Sequence, residues 1–133
     1  MRDEQVRRYA RHILLPDLGG LGQTALLVSS AVIEVGDDLA APIAASYLAA
    51  GGVGTLALRG ATESQRARLA NHGPDTQLVL VTKQADVPDQ ARPVAVPLAP
   101  PTWWRPTAGD AVALAFWRGG LAATRWMASV ANR

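Results

Sequence analysis

The sequence predicts an α/β fold, a Rossmann-like three-layer domain with a short, mainly parallel sheet of about four strands flanked by helices. Three observations predict it. The stretch VIEVGDDLAAPIAASYLAAGGVGTLALRG, residues 32–60, reads as strand, tight turn, helix and strand, and a crossover of that length makes the two strands parallel. Two further strand-like runs, TQLVLVT at 76–82 and PVAVPL at 93–98, come later in the chain. With 133 residues, the chain is expected to form one domain, 1–133, large enough to bury about two thirds of its unfolded surface.

The elements follow in order. Residues 4–13 read as a helix, and LLPDLGGLGQ then breaks the pattern with Pro16, Gly19, Gly20 and Gly22. A short helix is expected over 23–28. Residues 32–36 are apolar apart from Glu34, as in a strand covered on both faces, where Glu34 is costly unless paired. A small-residue helix over 39–50 tolerates Pro42 in its first turn and stops at Gly51 and Gly52. Residues 55–58 form the second strand. Thr62 is a good N-cap for the next helix, which Gly73-Pro74 ends. The strand at 93–98 carries Pro93 and Pro97, which places it at an edge or makes it irregular. APPTWWRPTAG is a surface loop. The last helix, 110–131, has Gly119-Gly120 as its candidate break, with Leu114, Trp117, Leu121 and Met127 on its expected buried face.

Composition excludes several function classes. Hydrophobic residues at 49% and charged residues at 18% are those of a globular chain. The net charge is +2, and Lys83 is the single lysine among thirteen cationic side chains. Arg2, Arg7, Arg8 and Arg11 cluster, but Asp3 and Glu4 offset them. This is the pattern of a solvated helix face, and no nucleic-acid partner is expected. The absence of cysteine removes disulfides, a thiolate nucleophile and sulfur-ligated zinc. With His12 and His72 as the two histidines, no catalytic metal site is expected. No apolar run reaches the ~18 residues of a membrane span, and no secretory signal core is present. A cytoplasmic location with no membrane partner is the default expectation.

The segments RRYARHILLPDLGGLGQ (7–23), VIEVG and SYLAAGGVGTLAL, in that order and spacing, resemble the start of the ThiF/MoeB/HesA family. Members of this family are bacterial relatives of the ubiquitin-activating enzymes. They use ATP and magnesium to adenylate the C-terminal glycine of a ubiquitin-like sulfur carrier. The resemblance covers about the first sixty residues. The final helix, with GGLAATRWMASV, is similar in position and pattern to the family's C-terminal dimer-side helix, and the stretch between is much shorter than in a family member. The chain therefore looks like a truncated member.

The resemblance implies a phosphate turn, Gly-x-Gly-Gly-x-Gly, over residues 36–41. Here it reads Gly36, Asp37, Asp38, Leu39, Ala40 and Ala41, so the first glycine alone is kept. Glycines let the backbone approach a phosphate, and N–H groups at the helix start grip it; side chains at Asp38, Leu39 and Ala41 are expected to crowd that approach. A carboxylate about 4 Å from a phosphate charge costs about 4 kcal/mol at an effective dielectric near 20. The helix terminus returns only about 0.3–1 kcal/mol. Either Asp37 or Asp38 is suited to cap the helix instead.

The acidic ribose-binding position of the family falls on Gly60, preceded by Arg59, which is either an exposed strand-end charge or a phosphate ligand. Neither the family's Asn-x-x-Arg-Gln nor a magnesium-binding Asp follows. Arg11 matches the family arginine that reaches into a partner's nucleotide site, and is read either as a structural ion pair or as a residue donated in trans. Arg8 and Tyr9 are expected to pair and pack, and Trp117 and Trp126 to anchor the core. Trp103 and Trp104, in the loop, form a candidate partner surface.

Three readings follow. The first is a non-catalytic pseudoenzyme with no cofactor, acting through dimerisation with itself or a family member, or by binding a protein such as a ubiquitin-like carrier. The second is a subunit that still takes part in ATP- and magnesium-dependent adenylation. The third is a module that binds another small ligand near Arg59 and Thr62.

Overall fold

The computed structural model describes residues 1–99, 102–103 and 110–132. It is an α/β domain with a four-stranded, all-parallel sheet flanked by helices. The helices are α1 (Asp3–Arg8), α2 (Ala10–Ile13), α3 (Gly19–Leu27), α4 (Ala40–Ala50), α5 (Glu63–Ala70) and α6 (Ala111–Ala131). The strands are β1 (Ser30–Glu34), β2 (Thr55–Arg59), β3 (Gln77–Val81) and β4 (Arg92–Pro93), in the order β3-β2-β1-β4. Glu34 lies opposite Arg59 in register, and Arg59 opposite Val81.

The main core lies on one face of the sheet, where Ala31, Ile33, Leu56 and Leu58 meet Ala44, Ala45 and Leu48 of α4 and Ala122, Ala123 and Trp126 of α6. The opposite face carries Val32, Ala57 and Val79, of which Val32 and Val79 are half-buried. β1 is therefore packed less evenly than a strand covered on both faces.

Several expected boundaries move, each for a visible reason. β1 begins and ends two residues earlier than expected, because Ser30 already pairs with Thr55. Glu34 therefore ends the strand exposed instead of lying inside it. The first helix is divided at Tyr9, whose backbone leaves helical geometry as its side chain turns inward. The glycine-rich stretch is helical from Gly19, which has φ +60°. Gly22 lies inside α3, and a Cβ there would fall 2.8 Å from Leu18 and 3.2 Å from Ala131. It serves close packing, not a turn.

The fourth strand shrinks to Arg92–Pro93, at the sheet edge. One more ladder-like bond joins Val94 N–H to the Val32 carbonyl. The last helix runs unbroken through Gly119-Gly120. Its fully buried residues are Ala115, Gly119, Ala122, Ala123, Trp126 and Val130, because α6 packs closely on the small residues of α4; of the expected set, Met127 is partly buried against the core, and Leu114 and Leu121 are half-buried. Trp126 is buried and donates its indole N–H to the Arg92 carbonyl at 3.2 Å, while Trp117 is half-buried. Thr62 caps α5 by accepting the Gln65 N–H.

Candidate functional site

The sheet order reverses between β1 and β4, and in open α/β sheets ligands enter the crevice beyond the carboxyl ends of the strands at such a point. A cavity of about 490 Å³ occupies this place, lined by Glu34, Gly36, Asp37, Asp38, Arg59, Gly60 and neighbouring valines. Both glycines require their lack of a side chain. Gly36 has φ +37° and Gly60 φ +75°, and a Cβ on Gly60 would sit 3.4 Å from the Gly36 nitrogen.

Asp38 governs the entrance to α4. Its Oδ1 accepts the Ala40 N–H at 2.9 Å, which satisfies one of the free donors at the helix start. Arg118 of α6 donates Nη1 to Oδ1 at 3.1 Å and Nη2 to Oδ2 at 2.7 Å, and its Nε reaches the Pro97 carbonyl at 2.5 Å. The Arg118 guanidinium, then the Ala40 N–H, holds the Asp38 carboxyl below its ordinary pKa. The turn, α6 and the segment after β4 are thereby tied at one carboxylate.

The other side chains of the turn divide. Leu39 is exposed, whereas Ala41 is buried in the core. The crowding expected from Ala41 is thus absent, since its methyl points into the protein. Arg59 donates to Glu34 at 2.9 Å and to Gln84 Oε1 at 2.8 Å. The crevice therefore carries two internal ion pairs, Glu34–Arg59 and Asp38–Arg118. An anion binding at either arginine would compete with a carboxylate already there. Among the described residues no three acidic or histidine side chains gather as a metal centre.

The remaining candidates lie elsewhere. Arg11 is exposed on α2. Trp103 is 77% exposed, and Trp104 lies outside the described residues. Arg8 and Tyr9 converge instead on Asp75, a carboxylate with 3% side-chain exposure. Asp75 accepts from Arg2 at 3.2 Å, Gln5 at 3.1 Å and Tyr9 Oη at 3.0 Å, and is paired with Arg8. Burial alone would raise the Asp75 pKa, but donation from Gln5, Arg8 and Tyr9 outweighs it and leaves the group below its ordinary value. Beside it Gln23, fully buried, donates to the Gly51 carbonyl at 3.0 Å and contacts His12 Nδ1 at 3.0 Å.

Tyr9 supplies a pH prediction. Burial first, and then the Asp75 carboxylate, push its phenol up to about 12. In the unfolded chain the same phenol ionises near ~10. Its contribution is therefore complete below pH ~10 and is lost as pH rises toward 12. Tyr9→Phe is expected to flatten this alkaline fall, as read from urea midpoints between pH 9 and 12. An unchanged slope would assign the fall to other groups.

Asp75, Gln23 and Arg118 are organising residues that local sequence reading does not single out. Asp75 sits in a turn after Gly73-Pro74, and its partners lie 66 to 73 positions away. Arg118 and Asp38 are 80 positions apart. Gln23 does close the quoted glycine-rich motif, which is the one local signal available.

No family model matches the chain. Among curated proteins it is 44% identical over 55 residues to the adenylyltransferase and sulfurtransferase MOCS3 of Bos taurus, a match covering 41% of this chain and 12% of that protein. The probable adenylyltransferase/sulfurtransferase MoeZ of Mycobacterium tuberculosis is 44% identical over 55 residues, 41% of this chain and 14% of that protein. The adenylyltransferase and sulfurtransferase uba4 of Aspergillus niger is 46% identical over 56 residues, 42% and 11% respectively. The matched stretch is thus about an eighth of the length of these relatives.

Proposed function

We propose that this chain, which carries a segment of the ThiF/MoeB/HesA adenylyltransferase type, is a non-catalytic domain of that kind, acting through dimerisation or by holding a protein partner. The observation that carries this reading is the occupied phosphate turn. Asp38 accepts the Ala40 N–H and is held by Arg118, so the carboxylate takes the hydrogen bond a bound phosphate would take and adds charge of the same sign. Arg59 is engaged with Glu34 and Gln84 in the same crevice. A homodimer, a heterodimer with a complete family member and a complex with a ubiquitin-like carrier are the partnerships the family likeness suggests. Trp103 is the described part of the proposed partner surface.

A second reading is favoured by the exposure of Arg11 on α2, which leaves it accessible to the nucleotide site of a complete partner. On this reading the chain is a subunit in ATP- and magnesium-dependent adenylation. Thermal unfolding with and without millimolar ATP and magnesium tests the primary reading. Ligand at a hundred times its dissociation constant would add about 2.7 kcal/mol, a rise of several degrees for a domain of this size. The expected result is no shift. A clear rise that Asp38→Gly increases further would overturn the self-capped turn and direct attention to the adenylated acceptor.

A further inference from the structure

We propose that the N-terminal helices α1 and α2, residues 1–13, form a separable arm that undocks from the rest of the domain as one unit, with Asp75 as its latch. The main hydrophobic cluster contains no residue before Leu18. α1 and α2 contain no buried residue, and Tyr9, at the joint between them, is the arm's one buried large side chain. Apart from the Tyr9 ring, seated over Gly52, the side-chain hydrogen bonds and ion pairs that hold the arm to the body converge on few groups. Among the described residues the arm makes five side-chain hydrogen-bonding links to the body, of which four go to the Asp75 carboxylate, from Arg2, Gln5, Arg8 and Tyr9, and the fifth joins His12 to Gln23.

Such an attachment is concentrated at one point. Four donors on one acceptor are weakened together when that acceptor is changed, because among the described residues none of them is bonded to another carboxylate of the body; Arg8 also pairs with Glu4, within the arm itself. The body, by contrast, keeps its sheet, the α4–α6 packing and the cluster around Leu48, Leu56 and Leu58. Undocking would uncover the slot at Gly52, where a Cβ would lie 2.7 Å from the Tyr9 ring, and the amide of buried Gln23. It would also free Arg11 and its neighbours from a fixed position. The segment from Leu14 to Leu18 is the natural pivot, with Pro16 within it and Gly19 at φ +60° just beyond.

α1 has six residues and α2 four, far below the length at which an isolated helix persists in water. Their amides are thus protected only while the arm is docked, which makes hydrogen exchange on the full-length chain a direct readout. In Asp75→Asn, peptides covering 1–13 are expected to exchange at least ten-fold faster, while those covering β1, β2 and α4 stay within two-fold of the wild-type chain. Arg8→Gln, which removes one donor and leaves the carboxylate, should give a smaller change of the same pattern and serves as the readout should Asp75→Asn fail to fold. Acceleration of all peptides together would show that arm and body unfold as one unit and would overturn the proposal. So would full protection of 1–13 in both variants.

Discussion

Gly119→Ala is expected to destabilise the domain by about 1 kcal/mol, while Gly120→Ala, one position along the same helix, is expected to stabilise it by about 0.5–1 kcal/mol. Both changes relieve the entropic penalty of glycine in a helix interior, which favours alanine by about 0.8–1 kcal/mol. Steric room decides the sign. A Cβ on Gly119 would stand 2.6 Å from the Ala40 carbonyl oxygen and 2.8 Å from Ile43 Cγ2. The first of these is backbone and cannot swing aside, so α6 must lift from α4, and overpacking of this kind costs about 1–3 kcal/mol. On Gly120 the nearest atom would be Tyr47 Cε2 at 3.8 Å, an ordinary contact. Urea or thermal unfolding of the pair reads the difference as midpoints moving in opposite directions. A loss in both variants would mean that the helix is not continuous through this pair.

The same two glycines show what the sequence can and cannot reveal. As a dipeptide they signal a break, because local propensity is all that a sequence window contains. The structure uses Gly119 for a close helix crossing, and the residues it crosses, Ala40 and Ile43, lie about eighty positions away in α4. The βαβ unit was legible because its signals are local: apolar strands, Pro42 in the first turn and glycines at the stop. The parallel sheet followed from connection length.

The candidate site was legible in part for the same reason. Gly36 and Gly60 face each other as the ends of paired strands require. The state of Asp38 was not legible, because its partner Arg118 arrives from the far end of the chain. Glu34 illustrates the sensitivity to where a strand ends. Because β1 stops at Glu34, two residues before the expected end, the carboxylate is an exposed partner for Arg59 instead of a charge inside the strand. Of the large residues expected on the buried face, Met127 packs against the core while Leu114 is only half-buried, and most of the fully buried positions of α6 are alanine or glycine. Hydrophobic periodicity ranks large residues first, whereas close packing ranks small ones.

Gly52→Ala is expected to cost about 3 kcal/mol, and Tyr9→Ala a similar amount, with the two losses strongly non-additive. Gly52 has φ +85°, a left-handed conformation that costs an alanine roughly 1–2 kcal/mol. Its Cβ would also fall 2.7 Å from Tyr9 Cζ and 2.8 Å from Gln23 Nε2, adding overpacking of about 1–3 kcal/mol. Tyr9→Ala removes a ring that is 2% exposed, and it takes one donor from the Asp75 carboxylate; loss of a buried aromatic costs about 3–5 kcal/mol, and the lower figure applies here because the space lies beside an arm that can shift. In the double variant the part of the steric cost that comes from the ring disappears, while the backbone strain and the close approach to Gln23 Nε2 remain. The double loss should therefore fall short of the sum by at least ~1 kcal/mol, the size of coupling found between residues in contact. Equilibrium unfolding of the two single variants and the double completes the cycle. Strict additivity would mean that Tyr9 does not sit over Gly52, and that the arm is placed by Asp75 alone.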